Sequence, residues 1–351
     1  MKIYEELKKD PCVWEHFTRK EEYDSTRLDK YGRFISGFSK YDNILYPYVS
    51  EYLTKKKLIH FEYPDNKKFA LVLTHDVDDI NISNQHIIRS FLPYPLNRDL
   101  LGFKPILIEK LKGTKSSYNN FRQILQLEEK YNAKSSFYFL VNYKDIFGFK
   151  YKIKDVEEDI CFLLDNEYEV GLHTSYYAFD KIDEIINEKE KLEKITGKKV
   201  KGVRNHLLRF SIPKSWEIFS KAGFTYDSTL GYHNKIGFRN GMCHPFRPFN
   251  INTNKQINIV EIPLCVCDMT LFSFMKRSAI ESWNLIKKVI DTTEILGGVL
   301  TILWHNWTFS YPVSYAGLFG KEWTKLYEKI LKYCNEKNAW ITNGKNISEL
   351  I

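Results

Sequence analysis

No stretch of this sequence approaches the roughly 18 uninterrupted apolar residues that a membrane-crossing helix needs, so no spanning segment is expected. The opening residues Met1-Lys2-Ile3-Tyr4-Glu5-Glu6 carry charge where a secretory leader would place an apolar core, and export is not expected. The six cysteines, Cys12, Cys161, Cys243, Cys265, Cys267 and Cys334, form no CxxC pair, which argues against a disulfide scaffold or a zinc ribbon and for a reduced, cytoplasmic setting. Cys265-Val266-Cys267 reads as strand packing. The chain also lacks a phosphate-binding glycine loop, a nucleic-acid motif, internal repeats and low-complexity tracts, and no nucleic-acid partner is expected.

What is present suits a large packed core: 351 residues, 43% hydrophobic and 15% aromatic, room for one large α/β domain or two smaller ones. The net charge of +8 is carried largely by lysines on expected helix faces, as between Glu188 and Lys194, where a solvated surface accounts for it. Residues 89–112 differ, mixing Phe91, Leu92, Tyr94, Leu100, Leu101 and Phe103 with Arg89, Arg98, Lys104, Lys110 and Lys112. Such a stretch suits an anionic membrane surface, a polyanionic substrate, or an ordinary insertion packed on the main body. Residues 1–65 are expected to form a mostly helical extension, with a short helix from about Tyr46 to Leu53; the main domain would run over 66–351 with an insertion near 85–118. From residue 69 strands and helices alternate. Strands are expected at 69–74, 135–141, 169–173, 200–203, 257–262, 298–304 and 339–342, and helices at 120–131, 155–166, 182–196, 213–222, 278–296 and 320–335. Pro213 suits the first turn of its helix and Gly223 its stop. The alternation predicts a parallel sheet or barrel.

The most informative segment is Leu71-Val72-Leu73-Thr74-His75-Asp76-Val77-Asp78, an apolar strand ending in a histidine and two carboxylates. In a parallel α/β sheet the carboxyl edge of the strands is where sites gather, and closely spaced acids there call for a cation or a proton-transfer task. Four other polar groups fall at or beyond strand ends: Gly171 to Tyr177, Gly202 to His206, Tyr226 to Thr229, and Leu303 to Asn306. Each alone is weak, and their shared edge is the signal. Asp78, His173 and His206 offer the nitrogen and oxygen donors of a zinc-like ion; Asp76 is left as a general base and His305 as an acid, the parts of a metal-assisted hydrolase.

The order of these motifs resembles the polysaccharide deacetylase superfamily (NodB homology, carbohydrate esterase family 4) over residues 69–345. The resemblance implies an α/β fold, a distorted (β/α) barrel of about seven parallel strands. Thr74-His75-Asp76-Val77-Asp78 matches the opening motif, with Asp76 as base and Asp78 as metal ligand. His173-Thr174-Ser175-Tyr176-Tyr177 matches the second, H-S/T-x-x-H, but puts Tyr177 where a second histidine ligand belongs. Arg204-Asn205-His206-Leu207 matches R-x-P-Y/F, giving Arg204 the task of orienting the base. Leu303-Trp304-His305 matches L-x-H and makes His305 the acid. The segment 226–249 looks like a bacterial branch found in surface-polysaccharide biosynthesis. A neutral phenol is a poor zinc ligand, so His206 is the expected replacement, with His75 a second one.

These matches imply a cytoplasmic, metal-dependent N-deacetylase holding zinc, or cobalt or nickel. Its substrate would be an N-acetylated sugar precursor, nucleotide- or lipid-linked, met in the cytoplasm or at the inner membrane surface through a peripheral contact. The alternatives are hydrolysis of another C–N amide bond and a catalytically silent sugar-binding protein. Candidate substrate contacts are Asp227, which would hold a hydroxyl or orient His305, together with Arg239, Trp304, Asn306 and Tyr177; Trp307 is a second candidate for a sugar-stacking wall. Glu261 ranks behind these, and His233 and His244 are expected to face solvent.

Overall fold

The computed structural model describes residues 2–81, 116, 118–310 and 320–351. The expected basic and aromatic stretch, 89–112, lies outside them. Nine strands make one sheet: β1 Phe69–Val77, β2 Ser136–Leu140, β3 Glu169–Thr174, β4 Gly202–Asn205, β5 Tyr226–Asp227, β6 Val260–Glu261, β7 Leu264–Cys267, β8 Val299–Leu303 and β9 Ala339–Thr342. Their spatial order is β6-β5-β4-β3-β2-β1-β8-β7, with β9 beside the start of β1, and every pairing is parallel. The two ends of this path, β6 and β7, are joined covalently by Ile262-Pro263, so the sheet curls into a distorted (β/α) barrel. All seven expected strands are present. The additional β5 and β7 are short, and the expected strand over 257–262 contracts to Val260–Glu261 because the Ile257 N–H turns aside to Pro248.

β1 is buried along its whole length, which explains its near-continuous apolar run: a central parallel strand is covered on both faces. Successive side chains still point to opposite sides. Leu71, Leu73 and Val77 pack outward among the helices, whereas Ala70 and Val72 face the barrel interior with Tyr138, Tyr226, Val260 and Ile262. The interior is filled by Tyr138 and Tyr226, whose hydroxyls meet at 2.9 Å. Their neighbours Gly171 and Gly202 leave the room, since a Cβ at either would collide with those rings.

Outside the barrel lie α4 Phe121–Glu129, α5 Glu157–Asp165, α6 Ile182–Thr196, α7 Lys214–Lys221, α8 Ala279–Leu296, α9 Gly320–Glu336 and α10 Gly344–Ser348. The α8 boundaries follow from Ser278 and Glu281, which form a capping box, and from Gly297 in the left-handed region. Gly223, also left-handed at φ +74°, follows α7 as expected. No helix among the described residues is long and apolar enough to cross a membrane.

The N-terminal region carries α1 Lys2–Leu7, α2 Pro11–Thr18 and α3 Tyr48–Lys55. It is fixed to the barrel by buried charge. Glu22 accepts from Arg19 Nε at 2.7 Å and from Arg239 Nε at 3.1 Å, and Arg239 Nη2 closes a second contact to the same carboxylate. Arg19 also donates to the Tyr232 hydroxyl at 2.9 Å. Glu22→Ala would leave Arg239 buried without its counter-charge, a loss of about 3–5 kcal/mol for a broken buried pair. Urea unfolding should show a fall of that order; a loss under about 1 kcal/mol would mean that the carboxylate is not what holds this region.

Candidate active site and metal centre

The carboxyl edges of β1, β3, β4, β7 and β8 surround a cavity of about 240 Å³. Alternation along β1 aims Thr74 and Asp76 to the inner side, where Arg204 lies. Arg204 is fully buried. Its Nη1 donates to Asp76 Oδ1 at 2.9 Å and to Thr74 Oγ1 at 2.8 Å, its Nε to the Ser228 carbonyl at 2.8 Å and its Nη2 to Ser228 Oγ at 2.9 Å. The guanidinium also lies 4.6 Å from the centre of the Tyr138 ring. This contact pairs the buried guanidinium with the Asp76 carboxyl group.

Three donor atoms meet beside it. His173 Nε2 lies 3.1 Å from His206 Nδ1 and 3.3 Å from Asp78 Oδ1, and His206 Nδ1 lies 3.4 Å from the same oxygen. Ligands on a tetrahedral ion with bonds of about 2.0–2.1 Å stand roughly 3.3 Å apart, so this triangle has the edges of one face of such a site. The tautomers agree. The Arg204 carbonyl, 3.0 Å from His173 Nδ1, can only accept, so Nδ1 carries hydrogen and Nε2 presents a lone pair. His206 Nε2 faces the Asp145 carboxylate at 3.3 Å, which leaves its Nδ1 for the triangle. Two lone pairs and a carboxylate oxygen converge, and Asp78 Oδ1 is buried with no hydrogen-bond donor. That arrangement asks for a positive charge, and the residues fit a divalent cation.

The electrostatics point the same way. Burial opposes ionisation of Asp78, but His206 and His173 outweigh it and hold the carboxyl well below the usual range. Burial also opposes charge on His206; Asp78, then Asp145, overcome it and raise the imidazole to about 9. A proton and a metal ion would thus compete for the same nitrogen.

His206 directly follows β4, and a strained turn comes immediately after it. Leu207 and Leu208 both take positive φ, +60° and +54°, at a cost of about 1–3 kcal/mol each. The Leu207 carbonyl is tied to Arg33 Nη1 at 3.2 Å.

His305, beyond β8, points its Nε2 toward Asp78 Oδ2 at 3.7 Å, and its Nδ1 bonds Asp268 Oδ1 at 2.7 Å. Asp268 also takes the His305 backbone N–H at 2.8 Å and the Thr308 hydroxyl at 2.5 Å. Burial disfavours charge on His305, Asp268 outweighs it, and the imidazole is raised to about 9. Cys267, Asp268 and His305 also lie within reach of one ion, but the Asp268 oxygens are already engaged and burial, followed by the Asp268 charge, pushes the Cys267 thiol up, so this group is a hydrogen-bonded set.

Several expected site residues are elsewhere. His75 faces outward, its Nδ1 on the Trp304 carbonyl at 2.7 Å and its Nε2 on Glu128 at 2.8 Å, so it is no substitute ligand. Tyr177 is 47% exposed and does not line the cavity. Trp304, one residue out of phase with His305, packs outward against Trp323 and Tyr327. Trp307 lines the cavity instead, its ring 5.0 Å from that of His305. Asn306 is buried and donates to the Asp79 and Tyr118 carbonyls at 2.8 Å, bracing the loop after β1 without facing the cavity. Arg239 is consumed by Glu22 and the Gly231 carbonyl. His233 lines the cavity and His244 is buried, 3.0 Å from Ser50 Oγ; neither faces solvent as expected. Two acids were not anticipated: Asp268, immediately after the Cys265-Val266-Cys267 strand, and Asp145, in the Lys144–Asp145/Gly148–Phe149 hairpin beyond β2. Their signal was the same strand-end placement that exposed the others.

Asp227 neither orients His305 nor lines the cavity; it is buried against Glu261. Burial raises Asp227 to about 6, and burial together with the Asp227 charge pushes Glu261 well above the usual range. The folded protein therefore keeps a proton here that the unfolded chain releases. Stability from this pair is complete below the unfolded carboxyl pKa of roughly 4 and is lost as pH rises through about 6. The melting temperature of Glu261→Gln should gain on that of the parent as pH goes from 4 to 8, and parallel curves would refute the shared proton.

No protein-family model matches the chain, and no curated protein matches it. Solved structures do. A Mycobacterium smegmatis protein assigned as a polysaccharide deacetylase is 17% identical, with 82% of this chain and 91% of that one covered at a TM-score of 0.53. The allantoinase Puue is 14% identical, with coverage of 89% and 97% and a TM-score of 0.57. A Pseudomonas aeruginosa PAO1 protein assigned as a polysaccharide deacetylase is 13% identical, with coverage of 85% and 96% and a TM-score of 0.55. At such identities the likeness establishes the fold alone, the distorted (β/α) barrel described above.

Proposed function

We propose that the protein is a metal-dependent hydrolase that removes the acetyl group from an N-acetylated sugar. The observation that carries this reading is the donor triangle of Asp78, His173 and His206, flanked by Asp76 in its pair with Arg204 and by His305, whose charged form Asp268 favours. A divalent ion in the triangle, with zinc the best match to its nitrogen and oxygen donors, would polarise the acyl oxygen and acidify water. The remaining tasks fall to the chain. Asp76 takes a proton from the attacking water, and Arg204 keeps it anionic until then. The water oxygen bonds to the acyl carbon, and the C–N bond breaks as His305 Nε2 gives a proton to the departing amine. Asp268 fixes the His305 ring and stabilises its charged form. The products are acetate and the free amino sugar. Trp307, on the cavity wall beside His305, offers a face for the pyranose. The resemblance of segment 226–249 to a surface-polysaccharide branch supports a precursor of such a polymer as the substrate.

Purified protein loaded with zinc should release acetate from N-acetylglucosamine derivatives, and Asp76→Asn should lower kcat about 10²–10⁴-fold without loss of bound metal. Ring-opening or ammonia release without acetate would reassign the protein to another C–N hydrolase. Full metal loading with turnover unchanged in Asp76→Asn would defeat the base assignment.

A further inference from the structure

We infer that Asp145 is a positioning residue that fixes the tautomer of His206 and thereby makes that histidine a metal ligand. The inference rests on the metal reading above and extends it to a residue outside every motif.

Asp145 sits on a short hairpin from the β2–α5 connection, a different segment from any that supplies a donor. It is 5% exposed. Oδ1 is occupied by the Phe147 backbone N–H at 3.0 Å, which holds the hairpin turn. Oδ2 lies 3.3 Å from His206 Nε2, at ion-pair distance, and both atoms are buried with no hydrogen-bond partner. A carboxylate can only accept, so its charge favours hydrogen on Nε2 and leaves the lone pair on Nδ1, the atom facing Asp78 and His173. His173 receives the same service from the Arg204 carbonyl. His206 precedes a strained turn, and among the described residues no backbone acceptor meets its Nε2, so the task falls to the hairpin carboxylate.

Asp145→Asn inverts the chemistry with nearly the same shape. Its Oδ1 can still accept from Phe147, but Nδ2 then points an N–H at His206 Nε2. The imidazole must accept there and carry hydrogen on Nδ1, inside the triangle, where it blocks the ion. The expected result is a 10–100-fold weaker zinc affinity, read by competition with a chromophoric chelator, with the metal-free melting temperature near that of the parent. Should Asp145→Asn melt early, Asp145→Ser gives a second test, since its hydroxyl can also cap Phe147 and it removes the carboxylate. His206→Ala is measured alongside. Zinc binding by the parent that is lost in His206→Ala but unchanged in the folded Asp145 variants would overturn the role of Asp145 and leave the metal reading intact. A parent that binds no zinc would overturn both.

Discussion

A single buried cation organises the inside of this barrel. Arg204 sits above Tyr138, draws Asp76 and Thr74 from β1, and ties down Ser228 beyond β5, whose own hydroxyl reaches the Ile262 carbonyl at 2.9 Å. Removed from water, the guanidinium is tolerable only while Asp76 is charged and the surrounding oxygens stay in place. The same residue's carbonyl orients His173. One side chain and one backbone group thus prepare both the proposed base and a proposed ligand, and chemistry and packing cannot be altered separately here.

Much of the architecture is legible from the chain. The apolar run before His75 reads as a strand covered on both faces, as it proves to be, and the alternation after it implies a parallel sheet. Parallel strands in turn bring their ends together, which is why scattered residues such as Asp76, His173, Arg204 and His305 could be grouped before any coordinates. The element that escaped notice has little local pattern: β5 has only two residues.

The errors at the site have a common physical origin. Trp304 neighbours His305 in sequence, yet the period of an extended chain sends it to the other side of the sheet, and the same rule displaces His75 from Asp76. Asp227 and Arg239 are polar residues near the right edge whose partners, Glu261 and Glu22, come from distant segments that no local pattern reveals. Asp145 and Asp268 were overlooked for the converse reason. An acid in a loop looks solvated until a tertiary contact buries it against a histidine.

The Tyr177 position and the His206 position together carry a wider consequence. A donor set needs three atoms at the corners of a triangle, and the backbone that delivers them is indifferent to which loop each corner comes from. Here one corner is supplied by the turn after β4, while Tyr177, after β3, is free to face solvent. The three donor atoms thus come together without a second histidine in the segment after β3. A search keyed to distances among donor atoms would find such a triangle where one keyed to the spacing of histidines along the chain would pass over it.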